Sequence, residues 1–444
     1  MGDRVHPREV GRRGEVGFAP QRHRGTEKTR EEKRQLRWRE RSTVLTTLLI
    51  YFVFSVPLCL CGEYLPEITM LPLPQLLVEL VRLPSVNPMG RTDLPAHLLC
   101  ESRVIDRWEL ELRTLGVDVR RQSVAPGRDN LIATFEGGGA STILLEAHTD
   151  TVPVDGMTID PFGGVIDGGK LYGRGACDVK GGGVAMFGAF RRLVHEKPAD
   201  APRVILAFTV DEEHTFLGAQ ALVKSVRADF AIVAEPTSLN IVRSHKGVVR
   251  WQIETTGRAC HSSRPQDGAN AVYRMGEVLT AIEGYAKELQ ARAPDAALGA
   301  RTLVVGMIHG GVSPNTVPDR CVIDIDRRLL PGESALEAIA DLDRHLAGFE
   351  CRSLPPKLAC PPLLPHGGEA FVERLGAAID RVRGRHEMWN VPYGTDASTI
   401  QEAGIPAVVF GPGDIAQAHT KDEWIDVEEL EGAAEVLFGF LTSC

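Results

Sequence analysis

The chain has no Cys-x-x-Cys pair. Its nine cysteines are scattered, and only Cys59 and Cys61 lie close together. An odd count at irregular spacing speaks against a disulfide framework, so reduced thiols and a cytoplasmic enzyme body are expected. There is no GxxxxGK[ST] loop: in the glycine run from Gly173 to Gly181, Lys180 is followed by glycine, which argues against a phosphate loop. After residue 70 there is no internal repeat and no low-complexity tract, which excludes a solenoid. Positive charge is in short supply beyond the first 41 residues. Those carry 13 Lys and Arg against 7 Asp and Glu, a net of +6, in a chain of net −9, so the rest totals −15. An acidic body argues against nucleic acid as the main partner and is compatible with multivalent cations.

At 444 residues the chain predicts two domains plus an N-terminal extension. Residues 1–41 lack apolar periodicity and read as a basic disordered leader. Residues 42–62 carry no charge and are long enough to span a bilayer. With a basic flank before them they would hold the N-terminus in the cytoplasm and the body outside. A signal peptide fits less well, because the leader is too long. The other reading starts from Met70, which opens a natural helix start in a soluble domain; residues 1–69 are then an over-extended start. The first reading gives an enzyme anchored through residues 43–62, the second a cytoplasmic one.

From Leu71 the pattern is regular. Helical spacing covers Leu76 to Leu83, Glu101 to Leu115 and Gly182 to Leu193. Apolar strands are expected at Asn130 to Phe135, Thr142 to Leu145, Arg203 to Val210 and Asp229 to Ala234. Strands alternating with helices indicate a doubly wound α/β sheet. Near His245 the style changes. A strand (Gly247 to Thr256), a helix (Gly268 to Arg292), two strands (Thr302 to Ile308, Val317 to Leu329) and a helix (Ser334 to Leu346) make most of a ferredoxin-like layer. Helix and parallel strand then return at Glu369 to Val382 and Ala407 to Phe410. The expected division is a leader over 1–69, a catalytic domain built from two segments, 70–245 and 354–444, and an inserted α+β domain over 246–353.

Open α/β sheets bind ligands at the carboxyl ends of their strands. His148 and Asp150 follow Thr142 to Leu145, and in extended chain they share a face. Asp178 lies in the glycine-rich turn before a helix. Glu212 and Glu213 follow one strand, Glu235 another, and His419 follows Ala407 to Phe410. Any one of these acids alone is more often a helix cap or a solvated loop residue. Their recurrence at one sheet edge suits two zinc ions, which take His nitrogen and carboxylate oxygen and can share a bridging carboxylate. Glu212 and Glu213 point to opposite sides of an extended chain, so that one can ligate while the other acts as a general base. His214, His245 and His309 fit no ligand spacing.

These motifs resemble the di-zinc aminoacylase/acetylornithine deacetylase/succinyl-diaminopimelate desuccinylase family of metallopeptidases. The matching text is His148-Thr149-Asp150, Gly173 to Asp178, Asp211-Glu212-Glu213, Ala234-Glu235-Pro236, Gly257 to Ser263 and Asp326 to Gly332, covering about Leu71 to Cys444. Glu235 to Leu239, Val242 to Gly247, and Gly411 to His419 with Asp422-Glu423-Trp424 are most similar to acetylornithine deacetylases. One departure is Gly394-Thr395-Asp396-Ala397, where those enzymes are expected to carry Thr-Glu. The resemblance implies a zinc-peptidase-like catalytic domain with an inserted ferredoxin-like lid that dimerises. It implies two Zn2+ ions, with Co2+ able to substitute. Asp178 would bridge them, His148 and Glu235 would complete one shell, and Glu213 and His419 the other. Asp150 would orient His148, and Glu212 would be the general base. His261, from a partner's lid, would stabilise the oxyanion; Arg328 would pair with the substrate α-carboxylate, with Asn315 nearby. The implied substrate is a small N-acyl amino acid, N-acetylornithine first, with a place in arginine biosynthesis. A desuccinylase or a carboxypeptidase/dipeptidase is the alternative.

Overall fold

The computed structural model describes residues 71–443. The basic leader, the apolar segment within residues 42–62 and the Met70 start lie outside the described residues. Among the described residues no helix is long and apolar enough to cross a membrane. Cys100, Cys177, Cys260, Cys321, Cys351 and Cys360 are free.

The main sheet is mixed and has eight strands. Across it run Asp118–Ala125, Arg128–Phe135, Arg203–Thr209, Thr142–His148, Phe230–Val233, Ala407–Val409, Ile241–His245 and Met388–Val391. Thr142–His148 is central and parallel to both neighbours. Both of its faces are covered, which is why its stretch Ile143 to Leu145 is apolar without alternation. Ile143, Leu145 and Ala147 pack with Trp108 of helix Ser102–Thr114 and Phe187 of helix Gly181–Glu196. Leu144 packs on the other side with Leu222 and Ile400. Trp108 stacks on Phe208 at 4.1 Å between centroids. The glycines that open helix Gly181–Glu196 serve packing: a Cβ on Gly182 would meet the Ala234 side chain at 2.8 Å. The helix can therefore approach the strand end that carries Glu235.

A second sheet interrupts the first between Ile241–His245 and Met388–Val391. Its order is Thr302–Gly310, Arg320–Leu329, Gly247–Thr256, Cys351–Ser353, all antiparallel. Leu358–Cys360 also pairs with Gly247–Thr256, so this hydrogen-bonded layer runs to Cys360. Helices Ala271–Ala291 and Ala335–His345 supply its separate core, in which Trp251, Ile253, Tyr285, Ile323 and Leu342 meet. The long helix begins after Asn270, whose side chain accepts the Val272 and Tyr273 N–H groups. That cap, a strong preference at helix starts, places the first turn later than Gly268.

Two features were not expected. Asp118–Ala125 pairs with Arg128–Phe135 as an edge hairpin; its polar sequence has no apolar run to mark it. A three-stranded sheet joins Trp424–Asp426 to Lys170–Tyr172 and Val165–Asp167. Strands this short have no periodicity to read, and the pairing of Trp424–Asp426 with Lys170–Tyr172 is long-range. This small sheet brings the segment after His419 against the turn that carries Asp178.

Candidate metal centre

Asp178 is held from behind. Glu423 accepts the Cys177 and Asp178 N–H groups at 2.9 and 3.0 Å on one oxygen, and Arg174 Nη1 at 2.6 Å on the other. Arg174 Nη2 also donates to the Thr420 carbonyl, next to His419, at 3.2 Å. Gly175 takes φ +83 with Thr151 too near for a Cβ, at 2.8 Å. The Asp178–Val179 peptide is cis. The Asp178 carboxylate sits buried at the sheet edge with one oxygen toward each of two histidines.

His148 Nε2 lies 3.2 Å from Asp178 Oδ1 and 3.9 Å from Glu235 Oε1. His419 Nε2 lies 3.1 Å from Asp178 Oδ2 and 3.1 Å from Glu213 Oε2. Two sets therefore form, His148–Asp178–Glu235 and Asp178–Glu213–His419, and within each set the ligand atoms lie within 4.8 Å of one another. The donor chemistry fits two cations sharing Asp178. Glu213 Oε1 is buried without a hydrogen-bond partner. Burial, then repulsion by Asp178, raises both Glu213 and Glu235 above the ordinary carboxyl range; such crowding of buried carboxylates is relieved by positive charge. Burial disfavours charge on His419, but its bonds to Asp178 and Glu213 outweigh this and carry it to about 11.

His148 Nδ1 is 3.1 Å from the Asp150 backbone oxygen and 3.5 Å from its carboxylate. The expected orientation of His148 by the Asp150 carboxylate is thus shared, with the backbone carbonyl nearer. Either contact places the proton on Nδ1 and leaves Nε2 facing Asp178. The Asp150 carboxylate itself accepts the N–H groups of Glu212 and Glu213, both at 3.1 Å.

Glu212 and Glu213 do not sit on extended chain. They form a turn closed by the Thr215 and Phe216 N–H groups on the Asp211 carbonyl, and Asp211 is left-handed at φ +69. The turn, not strand alternation, separates the two carboxylates. Glu213 goes to His419, and Glu212 comes within 4.0 Å of His148. Burial raises Glu212 well above the ordinary value, with the Glu213 charge adding to it.

A cavity of about 290 Å³ opens in front of these groups, and Arg328 lines it. His261 and Asn315 do not. Both are exposed and sit together elsewhere, where the Ser262 N–H donates to the Asn315 carbonyl at 2.9 Å. Arg250 and Tyr393 line the cavity and were not anticipated. Arg250 Nε and Arg328 Nε grip the two oxygens of Asp326 at 2.9 and 2.8 Å. The i, i+2 spacing of Asp326 and Arg328 on one strand, with Arg250 paired opposite Asp326, was the available signal. Asp396, which stands where a glutamate was expected, is buried outside the cavity lining, 3.5 Å from the Thr209 hydroxyl, which also donates to Glu146. His245 is likewise structural: its Nδ1 donates to the Lys246 carbonyl at 2.9 Å and its Nε2 accepts from Thr395.

A model described as Peptidase family M20/M25/M40 matches residues 144–443. Acetylornithine deacetylase of Proteus mirabilis (strain HI4320) is 35% identical over 371 residues, covering 81% of this chain and 93% of its own. Among solved structures, an M20 family metallo-carboxypeptidase from Sulfolobus solfataricus superposes with a TM-score of 0.68 at 20% identity, covering 84% of this chain and 99% of that one. A protein of Bacillus subtilis described as a dinuclear metal binding peptidase from the M20 family gives 0.56 at 17% identity, with 83% and 96% covered. At these identities the two structures speak for the fold alone.

Proposed function

Since the chain belongs to peptidase family M20/M25/M40 and is a hydrolase of amide bonds, we propose that it removes the acyl group from a small N-acyl amino acid, N-acetylornithine first. The observation that carries this reading is the pair of ligand sets sharing Asp178, with Glu212 beside them and Arg328 across the cavity. In this reading His148 and Glu235 hold one divalent ion, Glu213 and His419 the other, and Asp178 belongs to both. Zinc suits this mix of nitrogen and carboxylate donors, with cobalt able to substitute. When bound, the ions supply Lewis acidity toward the acyl oxygen and acidify water near neutral pH.

The protein's own groups do the rest. Glu212 takes a proton from the attacking water, whose oxygen bonds to the acyl carbon. The C–N bond breaks, and Glu212 passes that proton to the departing amine, giving a carboxylate and a free amino acid. The place of Glu212 beside both ligand sets but in neither, 4.0 Å from His148, supports this role. Arg328 keeps Nη1 clear of Asp326 and pairs with the substrate α-carboxylate. His261 and Asn315 act on a second copy. Their position outside their own cavity supports that, as does the exposed edge strand Thr302–Gly310, with Val304, Met307 and Ile308 open to solvent. We assign residues 246–353 as the lid and dimerisation domain between the catalytic segments 70–245 and 354–444, and an enzyme body in the reducing cytoplasm.

A desuccinylase or dipeptidase is the second reading. Arg250 favours it, because a second guanidinium beside Arg328 suits a substrate with a further carboxylate. Relative turnover on N-acetylornithine, N-succinyl-diaminopimelate and a dipeptide, with zinc or cobalt added, separates the readings. No turnover on any of the three removes both.

A further inference from the structure

Behind the Glu212–Glu213 turn, outside the cavity lining, lies a chain of buried polar groups, among them Asp150, which also lies beside His148. Asn87, Asp150 and Glu101 are fully buried and Asp211 nearly so. The Asn87 amide nitrogen donates to Asp150 Oδ2 at 2.8 Å and to Asp211 Oδ1 at 2.9 Å. Its amide oxygen accepts the Met89 N–H at 2.9 Å, which fixes the direction of the amide. Arg128 Nη1 donates to the same Asp211 oxygen at 2.7 Å and grips Glu101 through its other nitrogens.

The two carboxylates joined by Asn87 are the ones that shape the turn. Asp150 accepts the N–H groups of both Glu212 and Glu213. Asp211 opens the turn in the left-handed region, which a short polar side chain tolerates when it is locally bonded. Two buried carboxylates repel each other across such a gap. A neutral group that offers two protons and no charge holds both while remaining satisfied itself.

We propose that Asn87 is a positioning residue: it ties Asp150 to Asp211 and so sets where the turn presents Glu212. The role rests on Glu212 being the proton carrier. Asn87 comes from the loop that follows helix Leu73–Val81, and its backbone N–H donates to the Thr151 carbonyl at 2.8 Å. Its side chain reaches the site through these two acids.

The test compares Asn87→Asp with Asn87→Ala in the full chain loaded with zinc. Asn87→Asp keeps the shape but turns the donor into a third acid. It is expected to lose about 100-fold in kcat and Asn87→Ala about 10-fold, the scale of lost charge-assisted hydrogen bonds. KM should stay within about threefold, as for an interaction felt in the transition state. A packing role predicts the reverse order, with Asn87→Asp near wild type, and that result overturns the proposal. Hydrogen exchange gives a readout apart from activity: peptides covering 209–216 should exchange faster in both variants, while peptides from 302–329 stay unchanged. Unaltered exchange at 209–216 also overturns it. If the wild type hydrolyses no N-acyl amino acid or dipeptide, the functional reading falls and the exchange result alone decides. If Asn87→Asp does not fold, Asn87→Ser, which keeps one donor, should be faster than Asn87→Ala; equal kcat overturns the proposal.

Discussion

Glu212 and Glu213 share a backbone and a burial, and differ in what they face. Glu213 lies 3.1 Å from His419, whereas Glu212 approaches a histidine, His148, only to 4.0 Å. Glu212→Gln should therefore retain two metal equivalents and lose about 10²- to 10⁴-fold in kcat, the range of a general base. Metal analysis beside steady-state kinetics checks this, and wild-type turnover in the loaded variant removes Glu212 from the role. His245 gives a prediction in pH. Burial holds it down to about 4, below its ordinary value near 6.5. A depressed base contributes stability that is present above about pH 6.5 and is lost as pH falls toward 4, because the unfolded chain takes up the proton first. His245→Gln, which can still donate to Lys246 and accept from Thr395, should flatten that part of the curve. Denaturant midpoints at pH 7 and 4.5 compare the two proteins, and equal acid sensitivity rejects the assignment.

Among the elements, the short ones decide the site. The sheet of Trp424–Asp426, Lys170–Tyr172 and Val165–Asp167 closes the His419 segment onto the Asp178 turn, and the Arg174–Glu423 pair locks that closure. Side-chain exposures of 3% and 0% put both charges out of water, so removing one leaves the other uncompensated. Glu423→Gln should cost about 3 kcal/mol of stability and weaken metal retention, read from denaturant unfolding and metal content after dialysis. A loss under about 1 kcal/mol, the size of an exposed pair, would show that the clasp is not structural. Lys180 works similarly at the other end of the turn: its ammonium donates to the Leu80 and Leu83 carbonyls at 3.0 and 2.8 Å, satisfying the C-terminus of helix Leu73–Val81.

For the whole molecule, the metals and the second copy are the two open terms. Several buried carboxylates converge at one edge, so cations that bind the folded state should stabilise it by linkage. Chelation should lower Tm by several degrees and abolish turnover, with both restored by zinc; an unchanged Tm speaks against a resident metal. Ile308→Glu on the exposed edge strand should give a monomer by light scattering, and with it lose turnover, because His261 no longer reaches another cavity. A variant that stays dimeric, or a monomer with full activity, sinks the shared-site reading.

The alternation of apolar strands with helices, the change of style near His245 and the acids at strand ends were legible in the sequence, because buried parallel strands and the motifs at their ends are local patterns. His148, Asp150, Asp178, Glu212, Glu213, Glu235 and His419 could be collected from those patterns, while the division into ion-holding groups and a base came from the family resemblance. Three things were decided only by tertiary structure. The turn at Asp211 separates the two glutamates where strand alternation had been expected to, since a left-handed residue leaves no periodic trace. Arg250 and Tyr393 join the cavity from distant segments. His261 and Asn315 stay outside it in a single chain. The turn closes locally but is held by Asp150, and the other two depend on residues far apart in sequence; such contacts are set by packing rather than by spacing.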